Sequence, residues 1–185
     1  MARKSSRIPA YLTPEEIVRL FAAITSPRDR AIFRLTYHRG LRASELGMIQ
    51  FGDYHDGRIL IRRLKGSRGG EYVLVKAERM ALPRWIGERG SAPGPMFPSR
   101  NHQGISRFRL HGLMKGYCAA AGIPAEKAHM HALKHSCGTH LSAREADIVA
   151  IQDHLGHASI GNTMKYVAIA SKRRDEFAAR LDGWK

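Results

Sequence analysis

Five side chains that can support phosphoryl transfer are concentrated between Met130 and Ala168. In chain order they are His131, Lys134, His135, His157 and Tyr166. A free tyrosine phenol has a pKa near ~10, so it needs a base or nearby positive charge to attack phosphorus at neutral pH. Histidines titrate near neutral pH, and cations offset the charge that builds on non-bridging phosphate oxygens. The stretch therefore predicts a tyrosine nucleophile in a cationic site, which Arg42, farther upstream, would complete.

The segments around these residues are predicted to be mostly helical. Thr13-Pro14-Glu15-Glu16 combines an N-cap, a proline at the first helical position and a capping box. Ser26-Pro27 begins a second helix, which we expect to stop near Gly40. Apolar spacing and flanking glycines predict further helices over 43–49, 77–88, 106–121, 132–141, 146–155 and 173–181.

A change of hydrophobic period predicts a small antiparallel sheet. Residues 58–61 and 71–75 are rich in β-branched and apolar side chains, and the glycine-rich basic segment 65–68 lies between them. Residues 91–104 contain three prolines and read as a loop. The expected fold class is therefore mainly α (α+β): a helical domain with one small antiparallel sheet or hairpin.

The composition indicates a polyanionic partner. The 185 residues include 31 Lys+Arg against 16 Asp+Glu, which gives a net charge of +15 and a pI near 10.5. Such an excess favours nucleic acid, although a solvated basic surface is the alternative. There is no secretory signal and no apolar run of bilayer length. Cys118 and Cys137 imply no disulfide framework. We expect a cytoplasmic, nucleoid-associated protein with no membrane contact.

Five segments, in order, resemble the catalytic domain of the tyrosine recombinases, the phage-integrase and Xer-like family. The resemblance covers the chain from about Leu12 to Ala179. The matching positions are Arg42 in Tyr37–Leu46, Lys65 at the hairpin tip, His131-Ala132-Leu133-Lys134-His135, Leu155-Gly156-His157, and Tyr166 nine residues after that histidine. Lys134 departs from the family, which has a second arginine at that position. Lysine keeps the charge but loses the bidentate fork, and we expect a site that works with lysine.

The resemblance implies a role for each matching residue. Arg42, Lys134 and His157 would hold the scissile phosphate, and Tyr166 would form a covalent 3′-phosphotyrosyl bond. His131 would accept a proton, and Lys65 would protonate the leaving 5′-oxygen. No metal, cofactor or ATP is expected. Glu45 would orient Arg42, and His135 would assist its neighbours. The residues predicted to contact the DNA backbone are Arg62, Arg63, Arg68, Arg100, Arg107, Arg109 and Lys115.

The resemblance also predicts the domain organisation. Residues 1–11 would form a basic arm, and 12–185 would form the catalytic domain, with a tail from about 168 to 185. We expect no N-terminal core-binding domain, so the chain is either a natural minimal recombinase or a fragment. Phe177, Leu181 and Trp184 in the tail would dock on a neighbouring protomer or on the same chain. The predicted partner is double-stranded DNA, bound by a dimer or tetramer.

Several other hypotheses fit parts of the sequence. A relative that binds DNA but has lost activity through Lys134 is one, and a type IB topoisomerase with the same phosphotyrosine chemistry is another. An RNA-binding domain is a third, although no aromatic RNA-recognition motif supports it. Tyr166 alone could be a packing residue. A zinc site is a further alternative, formed from His131, His135, Cys137, His140, His154 and His157.

Overall fold

The computed structural model describes residues 9–64 and 67–169, with side chains to Tyr166. These residues form eight α-helices and a three-stranded antiparallel sheet, which confirms the predicted fold class. The helices are α1 Pro14–Ala23, α2 Pro27–Arg39, α3 Ala43–Leu46, α4 Lys76–Arg89, α5 Arg107–Ala120, α6 Met130–Ala143, α7 Ile148–His154 and α8 Gly161–Ile169. The strands are β1 Tyr54–His55, β2 Arg58–Ile61 and β3 Gly70–Val73.

Local capping signals place the helix ends. The Thr13 hydroxyl accepts a hydrogen bond from the Glu16 amide, and the Glu16 carboxylate accepts one from the Thr13 amide, which completes the predicted capping box. Gly40 ends α2 with a φ of 55°, a left-handed conformation that glycine adopts without steric cost. Helix α3 stops at Leu46, earlier than predicted. Helix α4 runs through Pro83 as one element.

The sheet has one strand more than the sequence predicted. Strand β2 pairs with β3 in the expected hairpin, and its buried side chains, Ile59 and Ile61, alternate with partly exposed ones. Strand β1 joins β2 through Asp56-Gly57, whose φ angles are 46° and 70°. An Asp-Gly pair between extended segments favours this two-residue turn. The turn is a hairpin signal in the sequence that our prediction did not use.

The core has two parts. The larger lies around α2, which packs against α4 and α6 and is tied to α4 by a buried ion pair between Arg39 and Glu78. The smaller lies between α6, α7 and α8 and contains Cys137, Ile151, Leu155 and Tyr166. Both cysteines are buried and free, as expected. The predicted nucleophile is therefore a core residue in this conformation.

The N-terminal segment is attached directly to α6. The backbone amide of Leu12 donates a hydrogen bond of 2.8 Å to the Ser136 hydroxyl at a buried position. Most of the predicted arm (1–8) and the predicted tail beyond residue 169, with its helix over 173–181, lie outside the described residues. Within the described part of the chain, no helix is long and apolar enough to cross a membrane.

Candidate active site

Arg42 stands at the N-terminus of α3 and is oriented by Glu45. The Arg42 guanidinium donates to the Glu45 carboxylate at 2.7 Å and to the Ser67 hydroxyl at 3.0 Å. The Arg42 amide also donates to Glu45, at 2.8 Å. Burial alone would raise the pKa of Glu45, but the bonds from Arg42 and the charge of Arg63 lower it. Glu45 is thus an ionised, enclosed partner that fixes a partly exposed arginine.

Lys134 extends from α6 to two helix C-termini. Its Nζ donates to the carbonyl of Gly40, beyond α2, at 2.7 Å and to the carbonyl of Leu155, beyond α7, at 2.9 Å. Helix C-termini carry unpaired carbonyls and partial negative charge, which a cation offsets. The residue is only 3% exposed. Burial, followed by the charges of Arg63 and Arg42, lowers the pKa of Lys134 to about 7.

Arg63 belongs to this interior rather than to a DNA-facing surface. Its side chain is 0% exposed, and its guanidinium donates to the carbonyls of Arg39 at 2.8 Å and of His154 at 3.0 Å. It also approaches the Gly40 carbonyl and the Glu45 carboxylate. In this conformation Arg63 is not accessible to the DNA backbone, because both terminal nitrogens of its guanidinium serve buried carbonyls, and the predicted contact stays a prediction.

Tyr166 is completely buried on α8. Its hydroxyl lies 3.1 Å from Nδ1 of His135, and its ring stacks on that of His157 with centroids 6.2 Å apart and planes 13° apart. Burial raises the pKa of the phenol. Burial and the nearby charge of Lys165 lower the pKa of His135 to about 4, so this imidazole is neutral and can accept a hydrogen bond from the phenol.

His157 stacks on Tyr166, and His131 lies beside His135. Nδ1 of His157 is 2.9 Å from the Thr163 hydroxyl, and burial with the charge of Lys134 lowers its pKa to about 3. His131 is exposed on α6, with its ring 6.0 Å from that of His135. Burial of part of its ring and the charge of Lys134 lower the pKa of His131. Both imidazoles are neutral at pH 7.

The structure brings the predicted catalytic residues together in one cluster, with the exception of Lys65. Arg42 and Lys134 both act electrostatically on His131 and His157, although their elements are widely separated in the chain. Tyr166 joins the cluster through His135 and His157. Lys65 lies outside the described residues. The arrangement can hold an anion beside a phenol that has neutral imidazoles around it.

The residues considered for zinc have other partners. Within the described ranges, no group of three or more His, Cys, Asp or Glu side chains is arranged to hold a metal ion. Nδ1 of His140 is 2.9 Å from the Tyr37 hydroxyl, and Nε2 of His154 is 2.6 Å from the His38 carbonyl. Two of the histidines therefore have hydrogen-bonding roles in the fold.

Comparison with known proteins identifies the family. Residues 10–173 match the model of the phage integrase family. The chain belongs to this family. Its tyrosine recombinases break and rejoin DNA, and the chain is an enzyme of that class.

The relatives and solved structures agree with this assignment. Type 1 fimbriae regulatory protein FimE of Escherichia coli (strain K12) is 35% identical over 174 residues, covering 88% of the chain and 87% of FimE. Tyrosine recombinase XerD of Xanthomonas campestris is 33% identical, covering 94% of the chain and 59% of XerD. The crystal structure of XerA recombinase has a TM-score of 0.79 at 25% identity, over 91% of the chain and 65% of XerA. XerH bound to palindromic difH, a post-cleavage complex, shares the fold, with a TM-score of 0.78 at 23% identity over 95% of the chain and 54% of XerH.

This integrase-family chain presents a groove next to the cluster, lined by Arg107 together with histidine and apolar side chains. The groove has a volume of about 320 Å³ and reaches from α5 to the exposed ring of His131. Phe108 stands on its edge and is 86% exposed. Arg62 is half exposed and paired with Asp53 at 2.6 Å. The other predicted DNA contacts, besides Arg63, are exposed side chains: Arg68, Arg100, Arg107, Arg109 and Lys115.

Sequence reasoning missed three residues of the candidate site. Ser67 bonds Arg42, Thr163 bonds His157, and Nζ of Lys165 lies 5.2 Å from the ring centroid of Tyr166. Thr163 had a usable signal, because residues three apart on a helix share a face and Tyr166 is three residues farther on. Ser67 carried no comparable local signal, since its partner is 25 residues away.

Proposed function

We propose that this chain is a site-specific recombinase that cleaves and rejoins duplex DNA through a covalent 3′-phosphotyrosyl intermediate on Tyr166. The observation that carries the proposal is the meeting of this phenol with cations from separate elements, Arg42 and Lys134, and with His131 and His157. Cations placed around a phosphate stabilise its transition state without a metal ion.

The proposed first step transfers the phosphoryl group to the protein. The Tyr166 oxygen forms a bond to phosphorus while the bond from phosphorus to the 5′-oxygen breaks. The phenol's proton passes to an imidazole. His131 is the acceptor in the sequence-based hypothesis, and His135, which contacts the hydroxyl before Tyr166 leaves its pocket, is the other candidate. Lys65 is proposed to give a proton to the leaving 5′-oxygen. Rejoining reverses these transfers with a new 5′-hydroxyl, so the energy of the phosphodiester is kept.

The mechanism requires Tyr166 to leave its pocket. The residue is 0% exposed, while Arg42 keeps about a quarter of its side chain accessible at the surface. A duplex phosphate held by Arg42 therefore reaches the phenol only after α8 moves. We propose that DNA binding or assembly of protomers supplies this movement, with the tail as a candidate contact.

The groove beside His131 is the proposed DNA-facing surface. The exposed arginines and Lys115 would contact phosphates, which positions DNA without reading its sequence. Arg62 would have to release Asp53 to do so. Contacts of this kind release counterions, so binding is expected to weaken steeply with added salt. We further propose that the enzyme works on the nucleoid, as a dimer or tetramer assembled on DNA.

A trapping assay tests the proposal. The protein is incubated with duplexes that carry a nick and randomised bases on both sides of it, and covalent adducts are resolved on denaturing gels. We expect adducts with the wild type, none with Tyr166→Phe, and an unchanged yield with Tyr117→Phe. Tyr117 is a matched control because its hydroxyl also bonds a side chain, that of Asp29, away from the cluster.

The alternatives predict different outcomes in the same assay. Duplex binding without any adduct would indicate a non-catalytic relative, for which the buried state of Lys134 offers a structural reason. Adducts together with relaxation of supercoiled plasmid, but without recombinant products, would indicate a topoisomerase. Adducts that persist in Tyr166→Phe would overturn the assignment of the nucleophile.

A further inference from the structure

Three cations and one carboxylate share the interior of the site. Arg42 and Arg63 approach the Glu45 carboxylate at 2.7 and 3.4 Å. Arg63 and Lys134 donate to the same carbonyl oxygen, that of Gly40, at 3.2 and 2.7 Å. The side chains of Arg63 and Glu45 are fully enclosed. When all four groups are ionised, the positive charge exceeds the negative, and three of the groups (Arg63, Glu45 and Lys134) are shielded from water.

An uncompensated charge in such a place is unfavourable. Arginine does not lose its proton in proteins, so Arg42 and Arg63 stay charged. Lys134 is the member of the set that can become neutral, and as an amine it still has two N–H groups for the carbonyls of Gly40 and Leu155. Burial and the two arginines accordingly lower the pKa of Lys134 to about 7, against the opposing effects of Glu45 and Cys137.

Arg63 also connects the two segments that carry Arg42 and His157. Its guanidinium bonds the carbonyl of Arg39, three residues before Arg42, and that of His154, three residues before His157. Gly156 allows this approach, because a Cβ there would lie 2.6 Å from Cδ of Arg63. One buried side chain therefore fixes both turns from which phosphate ligands are expected to project.

We propose that Arg63 is a positioning residue: it holds the turns below Arg42 and His157 and makes Lys134 hold its proton more tightly when an anion occupies the site than when the site is empty. The inference rests on the proposed function, in which that anion is the scissile phosphate. An arginine in place of Lys134 would be charged at all times. The lysine thus makes phosphate capture depend on pH, and Arg63 sets the pH at which capture weakens.

The first test follows the lysine itself and needs no DNA. Nuclear magnetic resonance of protein with ¹³C-labelled lysines reports the ionisation of Lys134, assigned by the signal missing in Lys134→Arg. Sulfate serves as the anion probe because it does not titrate in this range. The reference is chloride at equal ionic strength. We expect a midpoint near about 7 in chloride and a higher midpoint in sulfate. An ordinary lysine midpoint in chloride, or no response to sulfate, overturns the proposal.

Variants of Arg63 separate its charge from its hydrogen bonds. Arg63→Gln keeps a donor for the carbonyls but removes the charge, so the Lys134 midpoint should rise. Arg63→Lys keeps the charge and should leave the midpoint low. Arg58→Gln in β2, at an exposed residue paired with Glu71, is the matched control and should change nothing. If the midpoint of Lys134 ionisation is unchanged in Arg63→Gln, the proposed role of Arg63 is overturned.

The second test measures adduct formation against pH with the nicked duplexes. Above the midpoint, the wild-type rate at limiting DNA should fall by up to tenfold per pH unit, and the part of the fall that Lys134 causes should be absent in Lys134→Arg. Lys165, whose pKa burial and Arg42 also lower, is retained in both proteins, so the difference between the two pH profiles reports Lys134 alone. Identical pH profiles for the wild type and Lys134→Arg overturn the inference while adducts still form. Absence of adducts would instead overturn the proposed function. The outcome of the resonance test does not depend on adduct formation.

Discussion

The ring of Tyr166 lies directly against Gly138: a Cβ placed on this glycine would be 2.5 Å from Cε2 of the tyrosine. The contact joins α8 to the middle of α6, one turn beyond Lys134 and close to His135. The absence of a side chain at position 138 is therefore what admits the phenol to its pocket.

Gly138→Ala should displace Tyr166, because the added methyl occupies the space of the ring. We expect a loss of about 1–3 kcal/mol in the free energy of unfolding, together with faster nitration of Tyr166 by tetranitromethane. Urea unfolding and peptide mass spectrometry measure these effects. Gly116→Ala in α5 is the control, since no atom would meet its Cβ, and helix propensity predicts a gain of about 0.5–1 kcal/mol. Unchanged nitration in Gly138→Ala would contradict the contact.

Glu45→Gln should destabilise the fold strongly at neutral pH, because it leaves Arg42 and Arg63 without their buried carboxylate. Breaking such a buried pair costs about 3–5 kcal/mol. The pKa of Glu45 is lowered from 4.5, so its contribution is complete above that pH and is lost as pH falls through the lowered pKa. Urea unfolding at several pH values should show this acid-side loss in the wild type and a weaker one in the variant. Glu71→Gln, at an exposed pair with Arg58, should cost less than about 1 kcal/mol. Equal costs for the two variants would refute the assignment.

The free energy of unfolding of Lys134→Met should lack a pH dependence that the wild type has. Because the pKa of Lys134 is lowered from 10.5 to about 7, the unfolded chain holds more protons than the folded one between these values. The contribution of this lysine to stability therefore rises with pH across that window, by about 1.4 kcal/mol per pH unit. The difference between wild type and Lys134→Met, from urea unfolding at pH values inside the window, measures the slope. Lys115→Met is the exposed control, and a similar slope in both variants would contradict the prediction.

Thr163→Val should impair the site while Thr139→Val should not. The Thr163 hydroxyl holds Nδ1 of His157, so its loss should cost about 1 kcal/mol in unfolding free energy and roughly tenfold in the rate of adduct formation. The Thr139 hydroxyl is buried without a hydrogen-bond partner among the described residues, so valine there should be neutral or stabilising. Calorimetry and the nicked-duplex assay distinguish the two. Equal effects would mean that the contact with His157 does not matter.

The sequence predicted what short-range physics determines. Thr13 and Glu16 specify a helix start within four residues, and Gly40 supplies the left-handed conformation that ends α2. The order of the candidate site residues was also visible, and the structure gathers Arg42, Lys134 and His157. Lys65 stays a prediction, since it lies outside the described residues.

The sequence did not predict the burial and the contacts of each side chain. Arg62 and Arg63 are adjacent basic residues, yet one is half exposed and the other fully enclosed. The difference arises from carbonyls at Arg39 and His154, which are distant in sequence. Burial of Tyr166 likewise depends on Gly138, a residue of another helix. Such facts follow from packing, which local patterns do not encode.

The bond between the Leu12 amide and the Ser136 hydroxyl has a mechanical consequence. Ser136 is next to His135 on α6, and His135 holds the phenol. A pull on the polypeptide just ahead of Leu12, itself part of the larger apolar cluster, is therefore transmitted through this bond to the helix that carries His135. A partner that binds immediately ahead of Leu12 would therefore act on the helix whose His135 contacts the Tyr166 hydroxyl.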